Sequence, residues 1–124
     1  ARMVREMGVV CQGVRDPVLT LSGGNQQKVA VGRWMAEASR LLVLDEPFQG
    51  VDIQARRDLG AKIRATALDR ATLVLVAEID EAVEIADRIL VLSEHAVVGE
   101  HRNEALDLGA VMRQVTEVHH GASA

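Results

Sequence analysis

Short unbroken aliphatic runs alternate along the chain with stretches where apolar side chains recur every three or four positions. Leu41-Leu42-Val43-Leu44 ends at once in Asp45-Glu46-Pro47. A run of that length with a polar stop predicts a strand covered on both faces, as in a parallel sheet. Thr72-Leu73-Val74-Leu75-Val76 predicts a second such strand and Ile89-Leu90-Val91-Leu92 a third. Val97-Val98 reads as a return strand, making a hairpin after Ser93 to His95. Between the runs the spacing is helical. Val31, Trp34, Met35 and Ala38 fall at i, i+3, i+4 and i+7 of a helix that runs from Asn25, which makes Trp34 a core or interface residue. Asp52 is placed to cap a helix over about 53–68, with Leu59, Ile63 and Ala67 one turn apart. Ile79, Ala82, Val83 and Ala86 share one side of a short helix, and Leu108, Val111, Met112 and Val115 mark a last one before a frayed tail. Residues 1–8 read as the end of a helix stopped by Gly8, followed by a loop to Thr20 broken by Pro17. Strands alternating with helices predict an α/β fold with a parallel sheet.

Composition narrows the class. With 124 residues, 48% of them apolar, the chain has room for one domain and a modest core. A net charge of −4, with Phe48 and Trp34 as the aromatic residues, argues against nucleic acid as a partner. Cys11 stands alone and reads as a passive reduced thiol. No apolar run approaches the roughly 20 residues of a bilayer span, and no signal peptide is visible. The chain starts Ala1-Arg2-Met3, which suggests a processed or truncated piece. His95, His101, His119 and His120 lack metal-ligand spacing and read as surface or tail residues. Arg56-Arg57 and the Glu81/Glu84 pair are most simply solvated helix faces, although Arg56 could also border a partner.

Two places could carry chemistry. In Leu21-Ser22-Gly23-Gly24-Asn25-Gln26-Gln27-Lys28, a serine suited to cap a helix precedes two glycines in its first turn. First-turn amides have no partner inside the helix, and that end carries roughly half a positive charge, so an anion such as phosphate can approach closely. The bland alternative is a capped helix with a flexible lead-in loop. At the end of the first aliphatic run, Asp45 and Glu46 lie where an open parallel sheet places ligands. One carboxylate there can hold a hard cation through water while the other orients an attacking water. The bland alternative is a polar turn that ends the strand.

The ordered combination of these parts with Gly50-Val51-Asp52 resembles the second half of an ATP-binding cassette (ABC) ATPase, over roughly residues 15 to 100. Leu21 to Gln26 matches the family signature, Leu41 to Glu46 the Walker B strand and Gly50 to Asp52 the D-loop, with Asp87-Arg88 in its expected place. Asn25 followed by Gln26-Gln27-Lys28 is similar to the second cassette of fused ATPase subunits of bacterial monosaccharide importers of ribose, xylose or galactose type. Nucleoside importers are close neighbours. The resemblance implies a partial P-loop NTPase fold that lacks the Walker A strand. It would comprise the end of a helical subdomain (1–40), the Walker B and D-loop part of the catalytic core (41–102), and a C-terminal helix and tail (103–124).

The same resemblance implies ATP and Mg²⁺ as cofactors. Ser22, Gly23, Gly24 and Gln26 would meet the γ-phosphate of a nucleotide held mainly by a second cassette. Asp45 would support Mg²⁺ through water, Glu46 would be the catalytic carboxylate that polarises water, and Asp52 would communicate across the cassette interface. Further implied partners are a transmembrane permease and, indirectly, a periplasmic sugar-binding protein, with the chain on the cytoplasmic face of the plasma membrane. Departures exist. G-x-x-x-x-G-K-[ST] is not found, and Gly8 and Gly13 are followed by Val14-Arg15 where the motif needs Lys and Ser or Thr. Ala77 stands where the family usually has a switch histidine, and Phe48-Gln49 where Thr-Arg is more usual. The piece alone is therefore expected to be inactive and to self-associate through exposed strand edges, with 41–45 pairing with 72–77 and 88–92 lacking a neighbour on its inner side. Rival readings are a soluble ABC ATPase outside transport and a non-enzymatic interaction fragment.

Overall fold

The first two aliphatic runs form strands β1 (Leu41–Asp45) and β2 (Ala71–Leu75) in the computed structural model, which describes residues 1–117. They pair in parallel, Leu41 opposite Ala71 through Asp45 opposite Leu75, which is the expected pairing with the second strand running from 71 to 75. A parallel pair needs a long crossover, and helix α3 (Ile53–Ala65) supplies it. α3 starts where Asp52 Oδ1 accepts the Ala55 N–H at 2.9 Å, a side-chain cap on an otherwise unpaired amide. It stops at Ala65, short of the expected 68, as Thr66 turns back to give both its N–H and its hydroxyl to the Ile63 carbonyl. Helices α1 (Arg2–Glu6), α2 (Gly23–Met35) and α4 (Ile79–Ile85) complete the first of two compact units, Ala1–Ile85. A single 3-10 turn, Val18–Thr20, sits in the loop before α2.

The expectation of strands buried on both faces is overturned. β1 alternates, with Leu42 and Leu44 buried while Leu41 and Val43 are 59% and 54% exposed. Leu73 and Leu75 of β2 are exposed as well. The helices cover one face of the pair. There Leu42 and Leu44 share a core with Val31 of α2, Leu59 and Ile63 of α3, Ile85 of α4, and the flanking Met7 and Phe48. Trp34 is not in that core. It is 61% exposed, because the buried stripe of α2 runs through Lys28, Val31 and Gly32 instead.

The second unit, Ala86–Ala124, holds β3 (Arg88–Ser93), β4 (Ala96–Arg102) and α5 (Leu108–Glu117). β3 and β4 form the expected antiparallel hairpin, with α5 packed on both strands and Val111 buried among them. Ile89 and Val91 are buried while Leu90 and Leu92 are exposed, so the third run too is covered on one face only. The hairpin loop is Glu94-His95, both with positive φ, as a two-residue turn matched to strand twist requires. The expected frayed tail, with His119 and His120, lies outside the described residues.

Candidate functional site

Ser22 has the extended backbone of a cap, and its hydroxyl oxygen accepts from Asn25 twice, from the backbone N–H at 3.4 Å and from Nδ2 at 2.9 Å. Asn25 Oδ1 in turn accepts the Val10 N–H at 2.9 Å. The two glycines that follow have a packing reason of their own. A Cβ on Gly23 would lie 3.2 Å from the Gly50 carbonyl oxygen, and one on Gly24 would lie 3.2 Å from Ala55 Cβ. Small residues therefore let the first turn of α2 rest on the turn that leads into α3, in addition to leaving its amides approachable. Gln26 donates its side-chain amide to the Leu21 carbonyl at 2.9 Å, bracing the chain just before the cap.

At the other end of the site, Asp45 is exposed at the carboxyl end of the parallel pair and Glu46 is half-buried. Glu46 takes φ 47°, a left-handed conformation that non-glycine residues adopt at a cost of about 1–2 kcal/mol. Its N–H donates to the Leu75 carbonyl at 2.9 Å, continuing the ladder by one bond. Buried Pro47 and Phe48 anchor the turn from below. Gly50, with φ +71, then reverses the chain so that Asp52 reaches the start of α3. Ala77 is exposed just beyond β2, at the same end of the sheet as Asp45. The fold thus joins the α2 start to the Gly50–Ala55 turn by direct packing, while Asp45 and Glu46 connect to that turn through Pro47 and Phe48.

Three features escape the sequence. Gln27 Nε2 reaches the Glu46 carbonyl at 3.5 Å, linking α2 to the carboxylate turn. Lys28 is 8% exposed, donates to the Gly8 carbonyl at 3.3 Å and lies 3.6 Å from Asp58 Oδ2, so it ties α2 to the chain after α1 and to α3. Arg56 and Glu84 are not a solvated pair of faces. Arg56 Nε sits 3.1 Å from Glu84 Oε2, off the line of a hydrogen bond, and both side chains are 27% exposed. Nearby, burial pushes the Glu81 carboxyl above the ordinary carboxylate value. The charges of Glu46, Glu78 and Glu84 add to that effect, and Arg56 opposes it. Arg and Glu so far apart in sequence give no local signal.

A shallow groove of about 180 Å³ separates α2 from β1, lined by Gln27, Trp34, Val43, Asp45 and Pro47 among others. Among the described residues no three His, Cys, Asp or Glu side chains gather as a metal cage. One exposed aspartate fits Mg²⁺, which keeps several waters and binds through one or two carboxylates plus substrate phosphates. No helix among the described residues is long and apolar enough to cross a membrane.

Residues 2–49 match the family described as ABC transporter. The chain is 36% identical over 98% of its length to the ribose import ATP-binding protein RbsA 2 of Streptomyces coelicolor, covering 24% of that protein. It is 39% identical over 82% of its length to the arabinose import ATP-binding protein AraG of Pseudomonas syringae pv. tomato, covering 20% of it. The chain spans about a quarter or less of the length of these curated relatives. Its fold matches the ATP-binding cassette MJ0796, solved as a dimer in a post-hydrolysis state with ADP and Pi. The TM-score is 0.73 at 20% identity, over 85% of this chain and 46% of that one.

Proposed function

Since this chain belongs to the ABC transporter family of ATPases, we propose that it forms the signature-to-D-loop portion of a nucleotide-binding cassette that drives monosaccharide import. The sugar class follows from the import proteins for ribose and arabinose that it resembles over most of its length. In this role residues 1–40 end a helical subdomain, 41–102 belong to the catalytic core, and 103–124 are a C-terminal helix and tail. The partners are a second cassette, a transmembrane permease and, through it, a sugar-binding protein, with the chain on the cytoplasmic face of the membrane.

Bound MgATP supplies the phosphoryl group and a cation that balances its charge. The residues of this chain do the positioning, which is most of what phosphoryl transfer asks of a protein. Ser22 and the first-turn amides at Gly23 and Gly24 donate hydrogen bonds to terminal phosphate oxygens of a nucleotide gripped by the facing cassette, while Gln26 holds the loop in front of them. Asp45 holds the cation through water. Glu46 accepts a hydrogen bond from the attacking water and turns its lone pair toward phosphorus. Asp52, fixed as the cap of α3, carries the state of one cassette to the other.

The observation that carries this reading is the placement of Asp45 and Glu46 at the carboxyl end of two parallel strands, with Glu46 held in a left-handed backbone conformation. Backbone strain of that kind collects at working sites. The test is Glu46→Gln in the full-length protein, which should keep ATP bound and lower turnover by about 10²–10⁴-fold. Undiminished turnover would remove Glu46 from the chemistry.

A further inference from the structure

Hydrogen-bond donors and acceptors around Ser22 leave its hydroxyl proton a single direction of use. The Val10 N–H is a donor and nothing else, so the atom of Asn25 that it meets at 2.9 Å must be the carbonyl oxygen. That fixes the flip of the amide. Nδ2 therefore faces Ser22 and donates to its oxygen at 2.9 Å, and the Asn25 backbone N–H adds a second, longer donation at 3.4 Å. A serine hydroxyl has two lone pairs and one proton. With both lone pairs facing donors, the proton has no acceptor on that side and points away from Asn25. Ser22 is exposed, so the free direction leads out of the protein.

We infer that Asn25 is a positioning residue: it orients the Ser22 hydroxyl as an obligate outward donor, matched to an oxygen that can only accept, such as one of a fully ionised terminal phosphoryl group. This inference rests on the proposed meeting of Ser22 with the γ-phosphate. Without Asn25, the hydroxyl regains the freedom to rotate and can spend its proton on neighbouring protein acceptors or water. Asn25 touches no nucleotide in this role and acts through Ser22 alone.

The experiment is a double-mutant cycle read on nucleotide-driven closure of two cassettes. The full-length protein carrying Glu46→Gln is titrated with ATP and separately with ADP, and association is followed by sedimentation. Ser22→Ala should weaken ATP-driven association roughly tenfold or more, the worth of a charge-assisted hydrogen bond, and leave ADP binding unchanged. Asn25→Ala should show the same ATP-specific loss, and Asn25→Ala added to Ser22→Ala should cost nothing further. If Ser22→Ala has no effect, the phosphate contact itself fails. If Ser22→Ala weakens closure and Asn25→Ala does not, or if the two losses add, the inference is overturned and the phosphate contact survives. Should Asn25→Ala fail to fold for want of an acceptor for Val10, Asn25→Asp keeps that acceptor and loses the donor. Full ATP-driven closure by Asn25→Asp would equally overturn the inference.

Discussion

Glu81 shows how far a single ionisable group departs from its sequence surroundings. Burial, then the charge of Glu46, raises its carboxyl above the ordinary value. An acid raised on folding stabilises the fold while protonated. That contribution is complete below the unfolded-chain value and is lost as pH climbs through the folded one. At neutral pH, therefore, ionised Glu81 works against the fold. Glu81→Gln should melt at a higher temperature than the parent at pH 7, and the gap should close at about pH 4 and below. Melting curves across that range provide the check, and a gap that does not change with pH would mean the residue is indifferent to its neighbours. The charged environment of Glu81 was illegible because it is assembled from three elements. By contrast, the Ser22 and Asp52 caps were legible, since a cap is a contact across three residues.

The close approach of α3 to α4 fixes what those helices can carry. A Cβ at Gly60 would sit 2.8 Å from Ile85 Cγ2, inside any tolerable contact. Alanine gains about 1 kcal/mol of helix propensity over glycine, but overpacking a buried β-branched neighbour costs about 1–3 kcal/mol. The clash wins. Gly60→Ala should lower unfolding stability by about 1 kcal/mol, seen as an earlier urea midpoint at unchanged slope; a later midpoint would show that Ile85 gives way freely. Strands were the most legible elements, because aliphatic runs with polar stops have few other meanings. Their covering was not. Leu41 and Val43 are as apolar as Leu42 and Leu44, so the run announces a strand without saying which face finds a helix. The Glu94-His95 turn was only partly legible for a different reason. Its left-handed geometry usually asks for Asn and Gly, and here other residues adopt it.

In the proposed role the chain would supply phosphate contacts at the start of α2 and cation and water contacts at the tip of β1, and the 124 residues contain no G-x-x-x-x-G-K-[ST] cradle. Amides at a helix start and one exposed aspartate grip a triphosphate weakly. Titration of the 124-residue chain with MgATP should give an affinity weaker than micromolar; a micromolar value would require a cradle of unfamiliar form. The candidate site was legible as motifs but not as geometry. Ser22, Asp45, Glu46 and Asp52 stand out by order along the chain, whereas the seating of Gly23 on Gly50 and the link from Gln27 to Glu46 depend on how the crossover folds back.

That crossover also sets a timetable. β1 and β2 meet only after the chain has passed through all of α3, so their ladder demands closure of a long loop. β3 and β4 are joined by two residues and can zip within about 1–10 μs. During synthesis the hairpin leaves the ribosome after both parallel strands and, once free, consolidates before they do. The carboxylates at the tip of β1 are consequently translated before the hairpin and take up their arrangement after it.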